Sequence, residues 1–116
     1  MGSVYEGRWQ VESITHDGTT TPVTVNARAT LSADGRLGLY DTVNRTSGRF
    51  EDVKGGFVIR EAWRTLALYL GDDPVRQLVI VAFKAIPVAR RVAASVTEDR
   101  LTVTAGEFRI VFTRAR

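Results

Sequence analysis

"DTVNRTSGRF", Asp41 to Phe50, decides how this chain is read. It holds a carboxylate, three hydroxyls, an Asn and two Arg, with Gly48 near its end. That density of polar groups suits an active-site loop. It also suits a turn whose polar groups serve the backbone. Asp41 can accept backbone N–H groups as the chain leaves a strand. Asn44 tolerates left-handed geometry and closes Asx-turns. Gly48 supplies a positive φ before the next strand. Val43 is expected to face inward. The stretch therefore reads as a fold-defining turn, with Arg45 and Arg49 left to meet a partner.

The flanking sequence is patterned for strands. In "RWQVESIT", Trp9, Val11 and Ser13 share one parity, and Gln10, Glu12 and Ile14 share the other. "HDGTTTP" reads as a polar turn. Val23, Val25, Ala27, Ala29 and Leu31 then alternate with polar residues, as in one long strand with a wet face. Asp34-Gly35 marks a hairpin turn, and Leu37 and Leu39 continue the apolar face. "GRFEDVKGGFVIR" is a second hairpin with Lys54-Gly55-Gly56 at its tip and Phe57 and Ile59 inward. "AWRTLALYLG" fits either a strand or a buried loop.

One helix is expected over about 73–86. Asp73 is the N-cap, Pro74 fits the first helical position, and Gln77 can complete the cap. Val75, Leu78, Val79, Ala82, Phe83 and Ile86 form an apolar stripe, widened by Ile80 and Val81, and Pro87 stops the helix. Val92, Ala94 and Val96, then Leu101 and Val103, then Phe108, Ile110 and Phe112 mark three closing strands joined by short turns. The fold class is α+β and mainly β. It is a curled antiparallel sheet, or a partly open barrel, of about seven to eight strands with one packed helix.

Composition bounds the function. The chain has 116 residues, enough for one domain over 1–116. It is 44% hydrophobic and 25% charged, an ordinary globular balance. It has no cysteine, which excludes disulfides, thiolate metal sites and thiol nucleophiles. No apolar run approaches the roughly 20 residues of a membrane helix. No signal peptide is visible, so the expected location is cytoplasmic, or envelope-associated if a leader was removed. The formal net charge is +3 and nearly all the basic residues are Arg. They are scattered, with Arg90-Arg91 the only adjacent pair, so no nucleic-acid face is expected.

The chemical inventory is thin. The single His16 lies in a polar turn, and no Gly-x-Ser-x-Gly elbow presents a nucleophile. The carboxylate pairs Glu51-Asp52, Asp72-Asp73 and Glu98-Asp99 fall at turns or at the helix start. No catalytic residue, cofactor site or metal site is assigned. An enzyme would have to gather Asp41, Arg45, Glu51 and Arg64 in one cleft. "GRW", Gly7 to Trp9, resembles the Gly-x-Trp opening of lipocalin-type barrels, although a Trp plugging one end of a core explains it too.

Within the opening stretch, Asn44, Arg45, Ser47 and Gly48 resemble the Gly-Cys-Asn-x-x-x-Gly signature of META domains, the family of the heat-shock protein HslJ. The similarity runs along most of the chain. "GRWQVESI" resembles the first strand, "GGFVI" the strand after the signature, and "RTLALYL" the next segment. An acidic-Pro helix start, "TEDRLTVT" and "FRIVFTR" follow in the family's order. The family's two cysteines fall at Val43 and Leu68, which implies an apolar contact between these residues here. The resemblance implies a small non-catalytic bacterial module with a stress-response or protein-interaction role. The alternative is a lipocalin-like carrier of a small apolar ligand. Candidate interaction residues are Arg45, Arg49 and Arg64. Candidate core or ligand-cavity residues are Trp9, Trp63, Phe83, Phe108 and Phe112. The expected partner is an unknown protein or a small apolar ligand.

Overall fold

A computed structural model describes residues 2–115. Nine strands and one helix follow in the order β1 (Gly7–His16), β2 (Thr19–Pro22), β3 (Arg28–Leu31), β4 (Arg36–Tyr40), β5 (Arg45–Val53), β6 (Gly56–Arg64), α1 (Pro74–Ala89), β7 (Arg91–Thr97), β8 (Arg100–Ala105) and β9 (Phe108–Arg114). Every pairing is antiparallel, as short turns between neighbours require. β1 pairs with β3 on one edge and β9 on the other, so eight strands close into a barrel. β2 lies outside this circuit and folds back on the far end of β1.

β1 serves three neighbours because it is long and bulged. Its register against β9 shifts between Val11 and Ser13. The extra residue, Glu12, turns outward, and Ile14 joins Trp9 and Val11 in the core. Strict alternation assigned Ile14 to the opposite face; the bulge overturns it. "HDGTTTP" is also more than a turn. Asp17 and Gly18 both take positive φ, which closes a two-residue hairpin into β2. Thr19–Pro22 escapes sequence pattern because it is polar on both faces and never enters the core. Val23 and Val25 keep an inward parity, but only Arg28–Leu31 of the long strand expected there pairs as β3.

Trp9, Phe83 and Phe112 are the largest fully buried side chains, with Ile14 and Ile110 among them. α1 packs chiefly against β1, β7, β8 and β9 through Val79, Ala82, Phe83 and Ile86. Its start is as expected: Asp73 caps it by accepting from the Val75 N–H at 3.0 Å, with Pro74 at the first position. Gln77 donates instead to the Gly71 carbonyl, and Val81 is exposed. The helix continues past Ile86 to Ala89, with Pro87 inside it. The proline ring forfeits one helical hydrogen bond there. Burial of Ile86 and partial burial of Ala89 hold the final turn.

The β6–β7 seam is incomplete. Only Gly56, Phe57 and Val58 pair with β7, because the chain leaves β6 to build α1 before it returns. A further bond, Ile59 N–H to the Arg90 carbonyl at 2.6 Å, ends the seam. Beyond it β6 keeps β5 on one side and, among the described residues, no strand on the other.

Candidate functional site

Asp41–Phe50 holds a buried polar hub: Asp41 accepts backbone N–H groups after β4, as expected, and the other parts are redistributed. Asp41 makes the Asx-turn: its Oδ1 accepts from the N–H groups of Val43 and Asn44 at 2.9 and 2.6 Å. Thr42, at φ 82°, takes the left-handed position expected of Asn44. Gly48 lies inside β5 and has no positive φ. It is small because the β5–β6 register shifts there, and an added Cβ would sit 3.0 Å from the Ala62 Cα.

Asn44 reaches across to the next segment. Its Oδ1 accepts from the Ala67 N–H and the Thr65 hydroxyl, both at 2.7 Å. Its Nδ2 donates to the Ala67 carbonyl at 2.8 Å. Thr65 completes the tie by accepting from the Arg45 N–H at 3.0 Å. Asn44 is 3% exposed, so each of its polar groups needs these partners. The consequence is a held strap over residues 65–73.

The strap turns its leucines outward. Leu66, Leu68 and Leu70 are 88%, 80% and 85% exposed. The buried-loop alternative for "AWRTLALYLG" is therefore wrong; Ala62–Arg64 ends β6 and the rest is an exposed strap. Leu68, for which the cysteine positions implied an apolar contact with Val43, instead leaves most of its side chain in solvent. Sequence pattern missed this because alternation reports a face, and Leu66, Leu68 and Leu70 share a face that looks to solvent.

Arg64 is not a free interaction residue. Its Nη2 donates to Asp41 Oδ2 at 3.1 Å, and its side chain is only 18% exposed beside the 2% of Asp41. Arg45 stays at the surface, with its guanidinium 4.9 Å from the Tyr40 ring centroid. Arg28 stands 5.0 Å from the same ring. Arg49 lies 3.7 Å from Glu61. Ser47, the remaining signature residue, is half-buried in β5 opposite Trp63. Of the four residues an enzyme would have to gather, Asp41 and Arg64 meet, whereas Glu51 pairs with Arg60 at 3.4 Å. His16 stacks on Phe108, with centroids 4.5 Å apart, and reaches Glu107 at 3.2 Å.

Trp9, Phe83, Phe108 and Phe112 lie in the core as expected. Trp63 does not. It is 63% exposed, because β6 runs beyond the barrel wall and Arg60–Trp63 is wet on both faces. Two clefts lie beside this stretch. One of about 300 Å³ is bounded by Arg64, Leu68 and Tyr69 on one side and Gln77, Val81 and Lys84 on the other. One of about 360 Å³ is bounded by Ile59, Glu61 and Ala62 and by Pro87, Val88 and Arg90. Both face the outer side of α1. No helix of the described residues is long and apolar enough to cross a membrane.

No family model matches the chain, and no curated protein matches it. Solved structures share its fold. A protein from Burkholderia xenovorans, determined by NMR, is similar with a TM-score of 0.70 at 16% identity, over 95% of this chain and 82% of that one. A second protein determined by NMR is similar with a TM-score of 0.65 at 12% identity, over 94% and 89%. At these identities the likeness extends to the architecture.

Proposed function

We propose that this chain is a non-catalytic protein-interaction module of META type, acting in a stress response, and that it binds through the strap and the adjoining half of β6. One observation carries this reading: the three strap leucines are exposed on a segment that Asn44 and Thr65 hold in place. A clamped segment does not collapse onto the core to hide its apolar side chains. Trp63 on β6 and Val81 and Val88 on the neighbouring face of α1 are exposed too and enlarge the surface. Contiguous apolar surface of this kind marks binding sites. The buried polar hub supports the reading from the other side, since Asp41 and Asn44 use their oxygens on backbone groups and on Arg64. The stress-response assignment rests on the META resemblance.

The lipocalin-like alternative draws on the closed barrel and its Gly-Arg-Trp opening. We favour the outer surface, because Trp9, Ile14, Ile110 and Phe112 are packed at 0–1% exposure and a guest would have to displace them. Quantitative co-purification from the native host is the test. A variant with Leu66, Leu68 and Leu70 all changed to Ser is expected to lose a specific partner that the parent protein retains. Equal recovery by the two proteins, with folding matched by circular dichroism, would refute the proposal.

A further inference from the structure

We infer that the open edge of β6 is a strand-addition site for an extended, acidic segment of a partner protein. The segment lies antiparallel to Arg60–Arg64, in the groove between β6 and α1. This inference rests on the reading of the face as an interaction surface, and it adds the occupant and how it is recognised.

The edge is available. β7 pairs with β6 only as far as Val58, and the Ile59–Arg90 bond is the last rung. From Arg60 onward a row of main-chain groups has no strand beside it among the described residues. Such a row is a template for another chain. The groove has a second wall. Gln77, Val81, Lys84 and Val88 are spaced by four, three and four residues, so they share one face of α1. This face lines both clefts, opposite β6 and the strap. A strand edge beside a helix face receives an extended peptide well: main-chain bonds supply affinity, and alternate side chains supply selectivity.

Charge selects the occupant. Lys84 and Arg90 line the groove, and neither has a carboxylate within 4.0 Å among the described residues. The groove's own carboxylate, Glu61, already faces Arg49. A basic segment would be repelled and an acidic one attracted. A second copy of the chain fits poorly. Antiparallel self-pairing centred on Ala62 would set Arg60 against Arg64 of the copy, and like charges directly opposite are destabilising. Direction follows from β7. The added strand prolongs the line of β7, which is antiparallel to β6, so its C-terminal end points at Arg90. The bulge at Glu61, with φ 54°, and the charge of Arg60 guard the edge against indiscriminate pairing.

The test uses a fluorescein-labelled octapeptide of alternating valine and threonine ending in two aspartates. Its comparators are the same peptide ending in two lysines, and the acidic peptide N-methylated at its valines or at its threonines. Fluorescence anisotropy with the full chain is expected to show saturable binding of the acidic peptide and affinity at least about tenfold lower for the lysine peptide. One methylation pattern should abolish binding and the other spare it, because alternate residues of a strand face its neighbour. Lys84→Glu combined with Arg90→Glu, both at exposed positions, should reverse the charge preference. Equal binding by both methylation patterns, equal binding of acidic and basic peptides, or no saturable binding up to about 1 mM would each overturn the inference. If the peptides fail while the leucine variant still loses its partner, strand addition falls and the interaction surface stands. If the leucine variant keeps its partner, the interaction surface itself falls.

Discussion

The Asn44 side chain bonds both main-chain groups of Ala67, donating to its carbonyl at 2.8 Å and accepting from its N–H at 2.7 Å. One amide thus acts as a rung of sheet between the Asp41–Asn44 turn and a strap that belongs to no strand. Everything proposed for the strap depends on this rung.

Replacing Asn44 with Ala removes three hydrogen bonds from a buried site and leaves Ala67 without these partners. The expected loss is about 2–4 kcal/mol of unfolding free energy. Urea denaturation measures it. Hydrogen exchange should also quicken across residues 65–70 before it does in the barrel strands. An Asn44→Ala protein as stable as its parent would return the Asp41–Phe50 segment to a functional role.

Two glycines should respond differently to Ala. At Gly56 a Cβ would run into the Val92 carbonyl oxygen, in the three-residue seam that joins β6 to β7. Backbone cannot yield there, so Gly56→Ala should cost about 3 kcal/mol or more. At Gly48 the Cβ would meet the Ala62 Cα at 3.0 Å and the Arg60 carbonyl at 3.3 Å, a milder approach beside a register shift on the exposed part of β6. Gly48→Ala should cost about 1–2 kcal/mol. Thermal melts of the two variants compare them directly; equal losses would contradict the account of the seam.

Much of the barrel was legible because its inward residues alternate. The hairpins around Gly35, Gly55 and Gly106 close where turn residues stand, and Asp73-Pro74 opens α1. Several of the failures share one cause: alternation marks parity and is blind to what lies opposite. It misplaced Ile14 because a bulge adds a residue, and Trp63, a candidate core or cavity residue, is exposed because β6 overshoots the barrel. It left the strap as a strand or a buried loop, whereas a side chain 23 residues away holds it in the open. The hub was legible as a polar turn in which Asp41 accepts backbone N–H groups, but the roles given to Asn44 moved: Asp41 closes the Asx-turn, Thr42 takes the left-handed position and Asn44 ties the strap.

Tyr5 supplies a pH prediction. Burial, and then the nearby Asp52 carboxylate, push its phenol above the usual value of 10.0. The folded protein therefore keeps this proton where the unfolded chain releases it. The stabilisation is complete below about pH 10 and is lost as pH rises through the folded value. Tyr5→Phe keeps a ring against Phe57, now 5.5 Å away between centroids, and removes the titrating group. The parent melting temperature should fall relative to that of the Phe variant above about pH 10. Parallel melting curves across that range would contradict the assignment.

Chemical-shift mapping of the labelled chain with the partner captured from its host tests the central claim most directly. The account predicts perturbed amides confined to residues 60–70 and to the Gln77–Val88 face of α1, with Trp9, Phe83 and Phe112 unmoved. Perturbations centred on those core aromatics, with the strap silent, would contradict it and point to a guest inside the barrel.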